Sequence, residues 1–233
     1  MLELFYDQDD AVMSNMLSAV PFEDSTYLHK FGGIPPHDGV IPPEGTAPWQ
    51  LLYTIDLADP AIPLVIPGCR FLCLYNAFQY EQPLIQYRLK SDSEVEFIYQ
   101  DDLKVRNDAP FLPDGKYPDV LPESKAILLG EPEEVVFDEE LEEFWLDELE
   151  DQEDAASSPD RNQLCALYGG VSQMQIFGHT KCKACGETMD YLASVRGEPE
   201  DKVISLWGGE EGVLILYQIC PACFTIESVP LVN

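Results

Sequence analysis

Two Cys-x-x-Cys pairs, separated by 34 residues, are the feature that most restricts how this 233-residue chain folds. The first pair is Cys182 with Cys185, and the second is Cys220 with Cys223. Zinc prefers four ligands in a tetrahedron, and each Cys-x-x-Cys turn can present two thiolates to the same ion. We therefore predict one structural Zn²⁺ bound by all four cysteines, since a filled coordination shell leaves no position for a catalytic water.

Other interpretations of the cysteines stay open. Each pair could instead be a redox dithiol, although redox motifs usually occur singly, at the start of a helix within a βαβ unit. An iron–sulfur cluster also accepts four cysteines, and the spacing does not exclude one. His179 lies three residues before the first pair; it is an alternative ligand or, in the interpretation we favour, a loop residue that supports the site from outside. We interpret Cys69, Cys73 and Cys165 as small buried hydrophobic residues.

The charge balance restricts the class of partner. The chain has 43 acidic and 13 basic residues, and its formal net charge is −30. Nucleic acid and anionic membranes are disfavoured as direct ligands, because phosphate binding needs clustered Lys and Arg. A basic protein partner would be attracted, and salt would weaken that attraction. A zinc ion with four thiolates adds a further charge of −2, which Lys181 and Lys183 are placed to offset locally.

The N-terminal sequence predicts a cytoplasmic protein. The first ten residues contain neither the basic segment nor the apolar segment of a signal peptide. No run of residues approaches the roughly 20 apolar positions that a membrane-spanning helix needs. An odd number of cysteines, seven, fits reduced thiols in a cytosolic compartment better than a disulfide framework.

The first half of the chain has the pattern of a β-protein. A segment rich in proline and glycine, residues 32–48, is predicted to be a surface loop. Short apolar and aromatic runs follow it, and we predict strands at residues 49–55, 70–75, 85–89, 95–99 and 125–129. The turn-like sequence Ser91-Asp92-Ser93-Glu94 indicates that two of these strands form a hairpin.

Residues 131–154 differ in character from the rest of the chain. Asp or Glu occupies 14 of these 24 positions, and no position is Lys or Arg. Apolar residues nevertheless recur at helical spacing, at Phe137, Leu141, Phe144, Trp145 and Leu149. We predict an amphipathic acidic helix, followed by a flexible linker at residues 155–159.

The predicted acidic helix is a candidate for partner binding. Its carboxylates, Glu142 and Glu143 among them, would attract a basic protein, and Phe144 and Trp145 would anchor it. The alternative is that the apolar face packs against the protein's own domain.

Three segments of the first half are echoed in the same order in the second half. Residues 31–35, 49–55 and 68–75 correspond to residues 168–172, 188–195 and 212–217. The shared order suggests an internal duplication. It divides the chain into a first repeat half at 1–130, the acidic helix and linker at 131–160, and a second repeat half with the cysteine pairs at 161–233.

Several of these motifs resemble the YwqG-like family of uncharacterised bacterial proteins. They are Phe31-Gly32-Gly33-Ile34-Pro35, Pro48-Trp49-Gln50-Leu51-Leu52, Ile55-Asp56-Leu57, Tyr168-Gly169-Gly170, the stretch from Cys182 to Leu192, and Trp207-Gly208-Gly209 to Tyr217. The Gly-Gly and paired Cys-x-x-Cys motifs are also distantly similar to the zinc-binding programmed cell death protein 2 family.

The resemblance implies an α+β fold of two similar halves built on antiparallel sheets. The second family acts as chaperones for a basic ribosomal protein, which by analogy supports a partner-binding role. Two features depart from the YwqG-like pattern: the acidic insert, and Ser172 with Gln173, where that family often has a proline and an aromatic residue.

No catalytic constellation is recognisable. The sequence has no Walker loop, GxSxG or HExxH motif, and His29 and His37 lie far from any nucleophile motif. The leading hypothesis is a zinc-stabilised, acidic interaction module for a basic partner, of the immunity-protein or chaperone type. The alternatives are an enzyme with its site in the groove between the halves, near the Gly-Gly loops, and a structural or solvating protein without a specific partner.

Overall fold

A computed structural model describes residues 17–21, 26–81, 84–106, 117–130, 165–167, 179–197 and 213–232. Within them the chain forms strands β1 (Leu17–Pro21), β2 (Lys30–Phe31), β3 (Gln50–Asp56), β4 (Phe71–Asn76), β5 (Ile85–Ser91), β6 (Glu94–Gln100), β7 (Ser124–Gly130), β8 (Cys165–Leu167), β9 (Asp190–Gly197), β10 (Val213–Ile219) and β11 (Thr225–Val232). The predicted strands of the first half correspond to β3 to β7, each within one or two residues.

The predicted α+β fold class is wrong. The described residues contain no helix, and their strands pair in antiparallel fashion throughout. Strand-forming sequence accounts for this result, because β3, β4 and β10 are dense in aromatic and branched aliphatic residues. The predicted acidic helix at 131–154 lies outside the described residues.

The strands form two antiparallel sheets that share β7. In order of pairing, the strands are β4-β3-β2-β7-β1-β8-β9-β10-β11-β5-β6. The first two residues of β7 pair with β2, and the rest of the strand pairs with β1. Two pairings, β1 with β8 and β11 with β5, join strands that lie more than 100 residues apart in sequence. The division into repeat halves stays a prediction.

The core lies where β3 and β4 face β5 and its neighbours. All seven residues of β3 are buried, so both faces of this strand are covered. Trp49 and Tyr87 pack with ring centroids 5.8 Å apart, and Tyr75 meets Tyr87 edge-on at 5.5 Å. The indole N–H of Trp49 donates to Gln100 at 3.0 Å, so burial leaves this polar atom satisfied.

The Gly-Gly motif of the first half is explained by packing. Gly32 has a φ of +61°, and a Cβ atom there would lie 2.0 Å from the carbonyl oxygen of Pro122. Its amide donates to the carbonyl of Leu52 at 2.7 Å, and the amide of Gly33 donates to that of Leu121 at 3.0 Å. The motif therefore lets β2 turn closely against the segment before β7.

None of the described residues belongs to a helix of the length and hydropathy needed to cross a membrane.

Candidate metal centre

Two turns bring the four cysteines together. Knuckle 1 (residues 181–186) precedes β9, and knuckle 2 (residues 219–224) joins the end of β10 to the start of β11. Because β10 pairs with both β9 and β11, the two turns lie at the same end of adjacent strands. The meander from β9 to β11 thus positions both cysteine pairs.

The two knuckles have the same backbone geometry. The amide of Gly186 donates to the carbonyl of Cys182, and the amide of Phe224 donates to that of Cys220, both at 2.8 Å. One residue later, the carbonyls of Glu187 and Thr225 accept from the amides of Cys182 and Cys220, at 2.9 Å and 2.8 Å. Each turn therefore closes on itself and directs two sulfur atoms to the same side.

The four Sγ atoms, those of Cys182, Cys185, Cys220 and Cys223, lie within 4.8 Å of one another. Across the knuckles, the Sγ atoms of Cys182 and Cys223 lie 3.5 Å apart, those of Cys185 and Cys220 lie 3.4 Å apart, and those of Cys185 and Cys223 lie 3.6 Å apart. The cysteines are close enough to bind a metal ion. Cys182 and Cys220 are buried, Cys223 is half-buried, and Cys185 is exposed.

The environment of the sulfurs is asymmetric. Burial raises the pKa of the Cys220 thiol to about 12. Burial also acts to raise the pKa of Cys223, but hydrogen bonds from Thr225 and from the Arg88 guanidinium outweigh it and lower that pKa to about 6. The Thr225 hydroxyl lies 3.1 Å from the Cys223 sulfur. A thiolate at this position is stabilised by donors outside the cluster.

The lysines that flank Cys182 each contact a neighbouring side chain. The Lys181 ammonium donates to the Thr188 hydroxyl at 2.7 Å, and the Lys183 ammonium lies over the Tyr99 ring, 5.0 Å from its centroid. A further cation, Arg88 of β5, lines the same surface cavity as Cys223. Sequence reasoning missed Arg88, because only the pairing of β5 with β11 brings it to the cluster.

His179 has a role outside the sulfur cluster. Its Nδ1 donates to the carbonyl oxygen of Met189 at 2.8 Å, which links the residues before knuckle 1 to those before β9. Among the described His, Cys, Asp and Glu residues, the group that could hold a metal contains the four cysteines and not this ring.

The other two histidines are buried in structural hydrogen bonds. His29 donates from Nε2 to Asp59 at 3.0 Å and accepts from the Asp56 amide at 3.1 Å. His37 donates from Nε2 to the carbonyl of Ser91 at 3.0 Å and accepts from the Tyr75 hydroxyl at 2.6 Å. Both rings therefore use both nitrogens within the fold.

The remaining predicted residues fall into two groups. Cys73 is buried, as predicted, and burial raises its pKa to about 12; Cys69 is half-buried. The predicted partner-binding residues, Glu142, Glu143, Phe144 and Trp145, belong to the part of the chain that is not described.

No protein-family model matches the chain, and neither a curated protein nor a solved structure shows significant similarity to it. The resemblance to the YwqG-like family stays a prediction. The arrangement of the cysteines is therefore the chemical starting point: four sulfur donors from two turns suit a soft or borderline metal ion.

Proposed function

We propose that the chain is a zinc-stabilised, non-enzymatic interaction protein whose partner is a basic protein. The observation that carries the metal part is the convergence of the sulfurs of Cys182, Cys185, Cys220 and Cys223 within 4.8 Å. Four thiolates complete a tetrahedral shell, and zinc sites made of four cysteines support folding rather than catalysis.

The position of the knuckles supports a structural role for zinc. They close the ends of β9, β10 and β11, and β11 pairs with β5 of the N-terminal part. An ion at this point ties segments that are far apart in sequence. Because the unfolded chain does not preform the site, metal binding would contribute directly to folding free energy.

The distribution of charge supports a basic partner. Residues 131–154 contain 14 of the 43 acidic residues and no Lys or Arg, so this segment alone contributes −14 to the formal net charge of −30. Carboxylates clustered in the sequence in this way would steer a cationic protein.

Metal content tests the first part of the proposal. We expect one Zn²⁺ per chain by elemental analysis and native mass spectrometry of the protein purified without added metal. Cys220→Ser should abolish stoichiometric zinc, while Cys69→Ser, a half-buried cysteine outside the cluster, should retain it. Equal zinc content in the two variants would contradict the assignment, and a bound iron–sulfur cluster would replace it.

Affinity capture at two salt concentrations tests the second part. The full chain should retain a basic protein from lysate at low salt and release it at high salt, since exposed charges are screened. A variant with Glu142→Gln and Glu143→Gln should retain less of the basic protein. Trp145→Ala, which leaves the charge unchanged, tests whether the indole ring anchors that protein. Capture of no basic protein at either salt concentration would count against a basic partner.

A further inference from the structure

Strand β5 presents two polar side chains to the metal centre. Gln86 and Arg88 are two residues apart, so they project from the same face of the strand. In the pairing with β11, Gln86 lies opposite Glu227, and Arg88 lies opposite Thr225. Thr225 directly follows knuckle 2, and thus β5 runs beside the cysteine turns.

Gln86 holds the backbone on both sides of Cys182. Its Nε2 donates to the carbonyl of Lys181 at 3.1 Å, and its Oε1 accepts from the amide of Lys183 at 2.7 Å. The same Nε2 donates to the carboxylate of Glu227 at 2.6 Å. A single buried amide from the N-terminal part of the chain therefore fixes the position of knuckle 1.

Glu227 extends this contact to the residues before knuckle 1. Its other carboxylate oxygen accepts from the Thr180 hydroxyl at 2.6 Å, and Gln218 accepts from the Thr180 amide at 3.2 Å. Glu227 is only 2% exposed, so this carboxylate depends on its hydrogen bonds with Gln86 and Thr180. Knuckle 1 is thus attached to β5, β10 and β11 by connected polar side chains.

Arg88 makes the matching contact with knuckle 2. Its Nη2 donates to the Thr225 hydroxyl at 3.3 Å, and that hydroxyl lies 3.1 Å from the Cys223 sulfur. Arg88 and Cys223 also line the same surface cavity of about 170 Å³. The Nε of Arg88 is buried and makes no hydrogen bond with any described residue, although a buried donor normally has a partner.

We propose that Gln86 and Arg88 are positioning residues of the metal centre, each supporting one knuckle, so that metal binding clamps β5 to the cysteine turns. The inference rests on the proposed metal site. Arg88 supplies positive charge beside Cys223, through the Thr225 hydroxyl that lies between them. Gln86 orients Cys182 through the peptide groups on either side of it. Hydrogen bonds around metal ligands orient them and tune the metal in this way.

The zinc affinity of the full chain tests the role of Arg88. Competition with a chromogenic chelator should show Arg88→Met weakening affinity roughly 10- to 100-fold, the usual effect of losing an outer contact. Lys90→Met is the matched control, because it removes the same charge two residues along the same strand face. It should stay within about 2-fold of the wild type. Equal losses in the two variants would overturn the role of Arg88.

The absorption spectrum of the Co²⁺-substituted chain gives a readout that general destabilisation does not produce. Removing donors from a thiolate raises its electron-donor energy, so the sulfur-to-cobalt charge-transfer band should move to longer wavelength in Arg88→Met. Arg88→Lys, which keeps the charge but loses the forked donor geometry, should be intermediate. If Arg88→Met does not fold, Arg88→Lys takes its place in the test. A wild-type absorption spectrum and wild-type zinc affinity in Arg88→Lys would then overturn the proposal.

Hydrogen exchange tests the clamp and the role of Gln86. Chelation of the metal should increase amide exchange in knuckle 1 and in β5 (Ile85–Ser91), while β3 (Gln50–Asp56), which is distant in the pairing order, stays protected. Gln86→Met should produce the same loosening with metal bound. Unchanged exchange in β5 after chelation would overturn the clamp, and a wild-type chain that binds no metal would overturn the metal site itself.

Discussion

Gly186 and Phe224 occupy the same position in the two knuckles, and both have a positive φ, of 80° and 58° respectively. Phe224 is the only described residue other than glycine with a positive φ. For a residue with a Cβ atom this conformation costs roughly 1–2 kcal/mol. Phe224 remains there because its amide closes knuckle 2 and its side chain packs against the core. The geometry needed to direct the sulfurs therefore determines the local backbone.

Gly186→Ala should weaken zinc binding without steric conflict. A Cβ atom at this position would meet nothing within 4 Å, so the cost is that of the backbone conformation alone. We expect a loss of about 1–2 kcal/mol, or roughly 5- to 30-fold in zinc affinity by chelator competition. Gly68→Ala is the matched control outside the two knuckles, with a φ of 82° and a nearest contact for an added Cβ atom of 3.6 Å, to the carbonyl oxygen of Lys90. It should lower folding stability but leave zinc affinity unchanged; if it weakens zinc binding equally, the effect is not specific to the knuckle.

The sequence predicted local elements of the fold well. The run of apolar residues in β3 and the turn between β5 and β6 are encoded within a few neighbouring residues, which is why pattern and composition found them. The order of strands in the sheets was not predictable in this way. Pairings such as β1 with β8 and β5 with β11 depend on contacts between residues more than 100 positions apart.

The same distinction applies to the candidate site. Cys182, Cys185, Cys220 and Cys223 were predictable because two Cys-x-x-Cys turns have a known chemistry. The residues that surround them were not, since Arg88 has no motif of its own. Lys181 and Lys183 were expected from sequence proximity to offset the charge of the sulfurs, but their own contacts with Thr188 and Tyr99 could not be foreseen in this way.

Folding stability should fall as the pH drops below about 6.5, because the folded chain disfavours the protonated form of His37. Burial lowers the pKa of this imidazole below its ordinary value of 6.5, against the smaller effects of Ser91 and Asp92. The unfolded chain therefore binds a proton in this range that the folded chain does not, and stability rises with pH up to about 6.5. His37→Gln should flatten this dependence in urea unfolding between pH 5 and 7.

His179→Gln is the control for the titration of His37. The His179 ring is exposed, and its Nδ1 donates to the carbonyl of Met189. The variant should keep the pH dependence of the wild type. If His37→Gln keeps it as well, the protonation of His37 does not destabilise the fold.

Asp56 should stabilise the fold at all but strongly acidic pH. The Arg70 guanidinium donates to both of its oxygens, at 3.0 Å and 2.8 Å, and against the effect of burial this lowers the carboxyl pKa from 3.8 to about 2. The contribution is present above pH 3.8 and is lost as the pH falls towards 2. Asp56→Asn should lose about 2 kcal/mol at pH 6 and converge with the wild type near pH 2. The exposed Asp101→Asn should differ little from the wild type, and a constant deficit in Asp56→Asn would exclude this ion pair as the cause.

Tyr87→Phe should destabilise the edge of the sheet at β4. The buried Tyr87 hydroxyl accepts from the amide of Tyr75 at 3.0 Å and donates to the carbonyl of Cys73 at 2.9 Å. It thereby satisfies backbone groups of β4 that have no strand partner on that side among the described residues. Removing one oxygen leaves two buried groups unpaired, so we expect a loss of about 1–3 kcal/mol in urea unfolding. Tyr99→Phe is the control, because its hydroxyl is exposed and donates to the exposed Asp101. Equal stability of the two variants would mean that the β4 backbone does not depend on Tyr87.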